Sequence, residues 1–317
     1  MMKNKKIIGV VVTYNRKDDL INCLQSIFEQ SKKVDELYII DNNSTDGTPD
    51  FLVEKQIVKS LPPLNSNKDE IYSENKTLKK GGEVILHYVR KYKNDGGAGG
   101  FYKGMKLAYE ANCDWLWLMD DDGMADKDQL KNLVDYSEKY RLHYVNALVI
   151  DKDNKEKLAF GLKGYESINE IEENETIEGF VNPFNGTLIS KKIINEIGLI
   201  KREMFIWGDE REYTNRVRKN GFKLITLLSA KHFHPKDKGI TNTVFPFSKN
   251  LKVVIKPPHL EHVYYRNLGY LEQTYGNFKI KIFTQLTYVT YFLIRLKFKS
   301  AYKFCIYYNK GVNNNFS

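Results

Sequence analysis

The first 120 residues alternate short apolar runs with amphipathic ones, and this alternation constrains the fold more than any other feature of the chain. Residues 7–13 are a β-branched apolar run, and residues 17–30 carry Leu20, Leu24 and Ile27 at helical spacing. A second apolar run covers 36–41, and Thr45 or Asp46 can cap a helix through residue 54. A third run covers 84–90, a helical pattern 98–112, and a fourth run 114–119. Strands alternating with helices predict an α/β fold with a doubly wound, mostly parallel sheet. Ligands of such sheets bind beyond the carboxyl ends of the strands. Thr13, Asp41, Asn94 and Asp120 each fall just past a predicted strand end, so four polar signals gather at one edge.

The densest signal at that edge is Asp120-Asp121-Asp122, at the end of the run Asp114 to Met119. Adjacent carboxylates repel, and a divalent cation is the simplest compensation. Alternate residues of an extended chain point the same way, which would turn Asp120 and Asp122 toward one metal and Asp121 elsewhere. Hard oxygen ligands suit Mg²⁺ or Mn²⁺, which bridge to substrate phosphates. The plainer alternative is a solvated acidic turn before the helix that starts near Asp126.

Four further motifs carry chemistry. Val11-Val12-Thr13-Tyr14-Asn15-Arg16 and Ile39-Ile40-Asp41-Asn42-Asn43-Ser44 are strands ending in polar groups, with Asn43 suited to a tight turn and Asp41 to ligand contact. Asn94-Asp95-Gly96-Gly97-Ala98-Gly99-Gly100 allows close backbone approach at a helix start. Phe205-Ile206-Trp207-Gly208-Asp209-Glu210-Arg211-Glu212 sets three carboxylates beside aromatic residues. They either serve the helix N-terminus or supply a general base. His232 and His234 share a face of an alternating segment, where two imidazoles suit a metal or phosphate role.

Residues 59–83 have loop composition and predict a mobile polar insertion. Residues 151–178 predict a solvated hairpin. A helix is predicted at 210–220, closed by Gly221, a strand at 222–228, and helices from residue 259 onward. Cys23, Cys113 and Cys305 form neither a zinc spacing nor a disulfide framework, which fits a reducing, cytoplasmic setting. The N-terminal apolar run is too short for a signal peptide. The uncharged stretch Ile282–Ile294 is shorter than the roughly 20 residues of a spanning helix. The net charge of +9 is uneven. No acidic residue follows Glu272, whereas Lys279, Lys281, Arg295, Lys297, Lys299, Lys303 and Lys310 do. Such a tail suits an anionic membrane surface, packing on the catalytic domain or a homo-oligomer interface.

Taken together, these motifs make residues 7–240 resemble the family 2 glycosyltransferases of the GT-A fold. The Asn94–Phe101 and Phe205–Tyr213 motifs look most like the galactofuranosyltransferase and rhamnosyltransferase branch. The resemblance implies a GT-A catalytic domain over 1–245 and a basic, aromatic helical region over 246–317. It implies donor-nucleoside contacts from Thr13, Tyr14, Arg16, Asp41 and Asn43. Asn94, Gly96, Gly97 and Gly99 would approach the diphosphate and sugar, with Asp120 and Asp121 also on the donor. Asp120, Asp122 and His234 would hold Mn²⁺ or Mg²⁺, His234 matching the family pattern better than His232. Glu210 falls where similar enzymes carry an aspartate base. That departure leaves Asp209 as a competitor. Asn185, Trp207 and Glu212 would line the acceptor site.

The implied reaction is inverting transfer of a sugar, galactofuranose first, from a nucleotide-diphosphate donor such as a UDP-sugar. The acceptor would be a hydroxyl of a glycan or lipid-linked glycan, at the inner face of the cell membrane. A rhamnosyltransferase using dTDP-rhamnose and a catalytically inactive carbohydrate-binding GT-A protein are the alternatives. A nucleotidyltransferase would need a basic, glycine-rich N-terminal signature, which Val11–Arg16 does not supply. No recognition motif for nucleic acid accompanies the basic tail.

Overall fold

A computed structural model describes residues 5–236, 241–245 and 251–317. Met1–Asn4 lie outside the described residues, as do 246–250, which adjoin the boundary expected at 245/246. The chain divides into two compact units. One comprises Met1–Arg202 and Arg216–Asp237, the other Glu203–Asn215 and Lys238–Ser317.

The first unit follows the alternation in the sequence. Its elements begin β1 (Ile7–Thr13), α1 (Lys17–Phe28), β2 (Glu36–Asp41), α2 (Thr48–Glu54), β3 (Glu70–Thr77), β4 (Glu83–Arg90) and α3 (Gly96–Glu110). They continue with β5 (Trp115–Asp120), β6 (Met124–Ala125), α4 (Gln129–Tyr140), β7 (Tyr144–Asp151), β8 (Lys157–Leu162), β9 (Tyr165–Ser167) and β10 (Thr176–Glu178). Next come β11 (Asn185–Ser190), α5 (Lys191–Ile197), α6 (Asp209–Lys219), which begins in the second unit, and β12 (Ile225–His234). The sheet runs β10-β12-β7-β11-β5-β1-β2-β4-β3.

Strands β4, β2, β1 and β5 are mutually parallel, so Thr13, Asp41 and Asp120 end at one edge. Every residue of β1 and β2 is buried, as expected of a parallel sheet covered on both faces. Helix α1 buries Leu20, Cys23, Leu24 and Ile27 at i, i+3, i+4 and i+7, each large side chain contributing about 2 kcal/mol. Helix α3 lies close against β1 because Gly100 and Gly104 leave room. A Cβ there would fall 2.4 Å from Val12 Cγ1 and 2.3 Å from Val10 Cγ1 respectively.

Two expectations need correction. The polar stretch 59–83 is not wholly a loop: Glu70–Thr77 forms β3, an antiparallel edge strand on β4. Its alternation of half-buried and exposed residues has little apolar signature, because the half-buried face carries Glu70, Glu74 and Lys76 beside Tyr72. The strand expected at 222–228 starts at Ile225 and continues through both histidines to His234. Strand β11, which the sequence reading did not assign, inserts antiparallel between β5 and β7. The 151–178 segment does contain a hairpin, in which β8 pairs with β9.

The second unit contains β13 (Thr241–Thr243), β14 (Lys252–Val254), α7 (Glu261–Tyr275), α8 (Phe278–Ile294) and α9 (Phe298–Val312). Its core is aromatic: Tyr265, Tyr288, Phe292, Phe304 and Tyr308 are buried together, with the Tyr288 and Phe304 rings stacked 4.6 Å apart. No helix among the described residues is long and apolar enough to cross a membrane.

Candidate active site

Strand β5 stops at Asp120, so the in-out alternation expected through the aspartates does not continue past it. Asp121 and Asp122 lie in the following turn, and both meet Arg16. The Arg16 guanidinium nitrogen Nη1 donates to Asp121 Oδ1 at 3.2 Å and to Asp122 Oδ2 at 2.5 Å. Asp121 is almost fully buried. Its Oδ2 also accepts from Thr13 Oγ1 at 2.6 Å and from the Tyr14 amide at 3.3 Å. Burial pushes the Asp121 carboxyl up to about 6, although Arg16 and Thr13 oppose the shift. Asp121 thus fastens the end of β1 to the end of β5. Tyr14 itself is exposed.

Asp122 meets a second partner. His234 Nε2 lies 2.9 Å from Asp122 Oδ1, and His234 Nδ1 donates to the Pro235 carbonyl at 2.6 Å. Burial would raise the Asp122 carboxyl, but His234 and Arg16 together hold it below the ordinary carboxylate range. His232 points elsewhere. It is fully buried, with Nδ1 accepting from Gln129 Nε2 at 3.2 Å, and burial pushes its imidazole down to about 3. Of the two histidines, the structure brings His234 to the aspartates.

This arrangement suits a cation. With Nδ1 committed to a carbonyl, a neutral His234 turns its Nε2 lone pair toward a carboxylate oxygen, and two lone pairs then face each other. A proton or a divalent ion relieves that contact. Asp122 Oδ1 is buried with no hydrogen-bond donor upon it among the described residues. The donor set fits Mg²⁺ or Mn²⁺ held by one or two protein ligands, the remaining positions going to phosphate and water. Among the described residues no three His, Cys, Asp or Glu side chains converge to cage an ion.

The adjacent strand ends are internally braced. Asp41 is wholly buried. Its Oδ1 accepts from the Ser44 amide at 2.8 Å and its Oδ2 from Tyr88 Oη at 2.6 Å. In this structure Asp41 therefore organises the turn that carries Asn43, whose φ is +66°, rather than presenting a free carboxylate. Burial pushes its carboxyl up, against these hydrogen bonds. Asn42, not singled out from the sequence, ties that turn to the glycine-rich segment. Its Nδ2 donates to Asn94 Oδ1 at 2.9 Å and to the Gly96 carbonyl at 2.8 Å.

The glycine-rich segment is the first turn of α3, not a loop. Gly99 packs on Asp95, whereas a Cβ on Gly97 would meet nothing within 4 Å. Buried Lys91 pairs with Asp95, and burial pushes its ammonium down to about 8. At the start of β11, Asn185 Nδ2 donates to the Pro183 carbonyl at 3.1 Å, and its Oδ1 is buried without a partner among the described residues. Asn185 pairs in register with Met119, one residue before Asp120.

In the second unit, the motif around Glu210 is held in an uncommon backbone. Phe205, Trp207 and Gly208 have φ of +65°, +62° and +100°, a conformation costly for aromatic residues. Asn267 on α7 holds it: its Nδ2 donates to the carbonyls of Met204 (2.7 Å), Ile206 (3.0 Å) and Trp207 (2.9 Å). Arg266 Nη2 adds the Glu203 carbonyl at 3.0 Å. Lys256 Nζ lies 4.5 Å from the centre of the Trp207 ring. The three acids differ in access. Asp209 is 3% exposed and Glu212 2%, and Glu212 Oε1 accepts from Tyr275 Oη at 3.0 Å. Glu210 is only half-buried, with Oε2 accepting from the Gly208 amide at 3.2 Å. Of the three, it is the one best able to meet a ligand. Arg266 and Asn267 were not legible as functional, because they lie about sixty residues from the loop they hold.

Comparison with known proteins agrees with this architecture. The family model for Glycosyl transferase family 2 matches residues 10–62 and 65–198. The chain is 30% identical over 239 residues to galactofuranosyltransferase GlfT1 of Mycobacterium tuberculosis, covering 73% of this chain and 70% of that protein. It is 28% identical over 313 residues to galactofuranosyltransferase GlfT1 of Mycolicibacterium smegmatis, covering 93% and 92%. Two solved structures share the fold at TM-score 0.51: GalNAc-T7 with UDP, GalNAc and Mn²⁺, at 15% identity, and S. aureus TarS, at 16%. They cover 74% and 94% of this chain, which spans 44% and 54% of their lengths. A mostly parallel sheet with its acidic turn at the carboxyl edge, and a family match across more than half of the residues, together show that the chain belongs to glycosyl transferase family 2, on a GT-A-like fold.

Proposed function

We propose that this glycosyltransferase moves galactofuranose from UDP-galactofuranose to a hydroxyl of a glycan or lipid-linked glycan, with inversion at the anomeric carbon. The observation that carries the proposal is the Arg16–Asp121–Asp122–His234 cluster at the carboxyl edge of the sheet, in a chain with galactofuranosyltransferase relatives. Thr13, Tyr14, Arg16, Asn43 and the Asn94–Gly97 backbone receive the nucleotide diphosphate. Asp122 and His234, with Asp120 beside them, hold Mn²⁺ or Mg²⁺. When bound, that ion supplies positive charge to the departing diphosphate.

Glu210 accepts the proton of the acceptor hydroxyl, whose oxygen forms the new bond to the anomeric carbon as the bond to UDP breaks. Inversion follows from a single displacement, and no covalent enzyme intermediate is required. Its accessibility is the reason to prefer Glu210 over Asp209. Trp207 offers a face to the acceptor sugar, with Asn185 and Glu212 as further acceptor-site residues. In this proposal residues 1–245 carry catalysis, and the enzyme works in the cytoplasm at the inner face of the membrane.

The test is UDP release with Mn²⁺ or Mg²⁺, using UDP-galactofuranose, UDP-galactose, UDP-glucose and dTDP-rhamnose against a glycoside panel. Selective turnover of UDP-galactofuranose, lost in Asp122→Ala and Glu210→Ala, is the expected result. Selective turnover of dTDP-rhamnose would move the proposal to that sugar, and absence of nucleotide binding would end it.

A further inference from the structure

The outer faces of α8 and α9 are apolar where a water-facing surface should be polar. On α8, Ile282, Phe283, Leu286 and Leu293 recur at helical spacing and are exposed, Leu286 at 62%. Around the turn into α9, Leu296 is 76% exposed and Phe298 62%, and Tyr302 one turn later is 71% exposed. The opposite side of α8 is also apolar: Tyr288, Tyr291 and Phe292 are buried in the core of the second unit. A helix apolar on both sides is normally covered on both. An exposed patch of this kind marks an interaction surface. The large apolar residues of the tail therefore divide. Tyr288 and Phe292 are core residues, whereas Leu296 and Tyr302 face outward.

The charges around the patch identify what covers it. Lys279, Lys297 and Lys299 flank the exposed apolar residues. Among the described residues, none of the three has an acidic partner. No Asp or Glu follows Glu272, and Glu272 is itself engaged by Tyr308 and Thr284. A second copy applied to the same face would set lysine against lysine with no carboxylate between them. A phospholipid surface offers what the patch lacks, anionic headgroups for the lysines and an acyl boundary for Phe283, Leu286, Leu296 and Phe298. At 17 residues, α8 is about 25 Å long, short of a roughly 30 Å hydrocarbon core. It can lie in the interface but not cross it.

We infer that the exposed face of α8 and the α8–α9 turn is a docking surface for an anionic phospholipid membrane, with its apolar side chains at the acyl boundary and Lys279, Lys297 and Lys299 among the headgroups. The inference rests on this face alone and does not depend on the identity of the sugar.

The experiment is flotation of the full-length chain with phosphatidylglycerol-containing vesicles and with pure phosphatidylcholine vesicles, at low and high salt, without sugar donor. Binding to the anionic vesicles that weakens with salt is expected. Each lysine near such a surface is worth about fivefold in partitioning, so Lys279→Ala, Lys297→Ala and Lys299→Ala combined lower it roughly a hundredfold. The lysine set leaves the apolar residues intact and guards against misfolding of a second variant, Leu286→Ser with Phe298→Ser, which is also expected to lose binding. Equal binding to both vesicle types, or none to either, overturns the inference. So does a dimer by light scattering that Leu286→Ser with Phe298→Ser converts to monomer while vesicle binding is unchanged, an outcome that assigns the face to a second copy.

Discussion

The turn around Asp122 and the loop around Glu210 are both acidic, yet they are built in opposite ways. Asp121 and Asp122 sit at the end of a buried parallel strand, and Arg16 and His234 approach them from other strand ends of the same sheet. Strand pairing alone brings these groups together. The loop 203–208 is held by a helix instead of a sheet. It takes three positive-φ residues and depends on side chains of α7 to bind its carbonyls. Charge at the first site is held by Arg16 and His234, and in the proposed function this is where the diphosphate binds. At the second, one carboxylate is left accessible, and in the proposed function it accepts the acceptor's proton.

The sharpest way to break this contrast is to remove the accessible carboxylate. Glu210→Gln should lower kcat by about 10² to 10⁴-fold with an unchanged melting temperature, measured by UDP release and differential scanning calorimetry. Asp209→Asn should cost far less in kcat. The reverse order would move the base to Asp209.

The support of the loop comes next in size. Asn267→Ala removes the side-chain donor from the part-buried carbonyls of Ile206 and Trp207, so a stability loss of about 1–3 kcal/mol is expected, read by urea denaturation. Turnover should fall with UDP affinity retained. If stability and turnover both stay at wild-type levels, Asn267 does not hold the loop.

How much of this could be read in advance depended on how local each signal was. The strands, their polar ends, the three aspartates and His234 carry short-range patterns, and those patterns set where the sheet edge lies. The alternation applied to Asp120–Asp122 failed because the strand ends at Asp120. The edge strand Glu70–Thr77 escaped notice because its half-buried face carries Glu70, Glu74 and Lys76, so no apolar alternation marks it. Asn42, Lys91, Arg266 and Asn267 act through tertiary hydrogen bonds or ion pairs, and no periodicity marks such residues. The glycine-rich segment was legible as a close approach, but the close approach of Gly100 is to Val12.

That last point gives a smaller, paired test. Gly100→Ala should cost about 1–3 kcal/mol by overpacking against Val12. Gly97→Ala, with nothing within 4 Å of the added methyl, should change stability by less than about 0.5 kcal/mol. If the Gly97 backbone approaches the donor, Gly97→Ala should still raise KM for the nucleotide sugar, whereas an unchanged KM removes it from the donor site.

A further test is a pH dependence of the bracing around α3. Lys91 is buried, and burial lowers its ammonium to about 8, below its value of about 10.4 in an unfolded chain. Between those limits the unfolded state binds more protons, so this group makes stability rise with pH, by up to about 3 kcal/mol. Below pH 8 both states are protonated and the slope vanishes. Thermal melts from pH 7 to 10 should show this rising component in the wild type and lose it in Lys91→Met. Identical profiles would mean that Asp95 fully compensates the buried charge.

The division of labour between the two acidic regions is tested most directly by titrating UDP with Mn²⁺ into the wild type, Asp122→Asn and Glu210→Gln by calorimetry. The expected result is UDP affinity weakened roughly 10–100-fold in Asp122→Asn and unchanged in Glu210→Gln, although both variants have lost turnover. Wild-type affinity in Asp122→Asn, or an equal loss in Glu210→Gln, would contradict it.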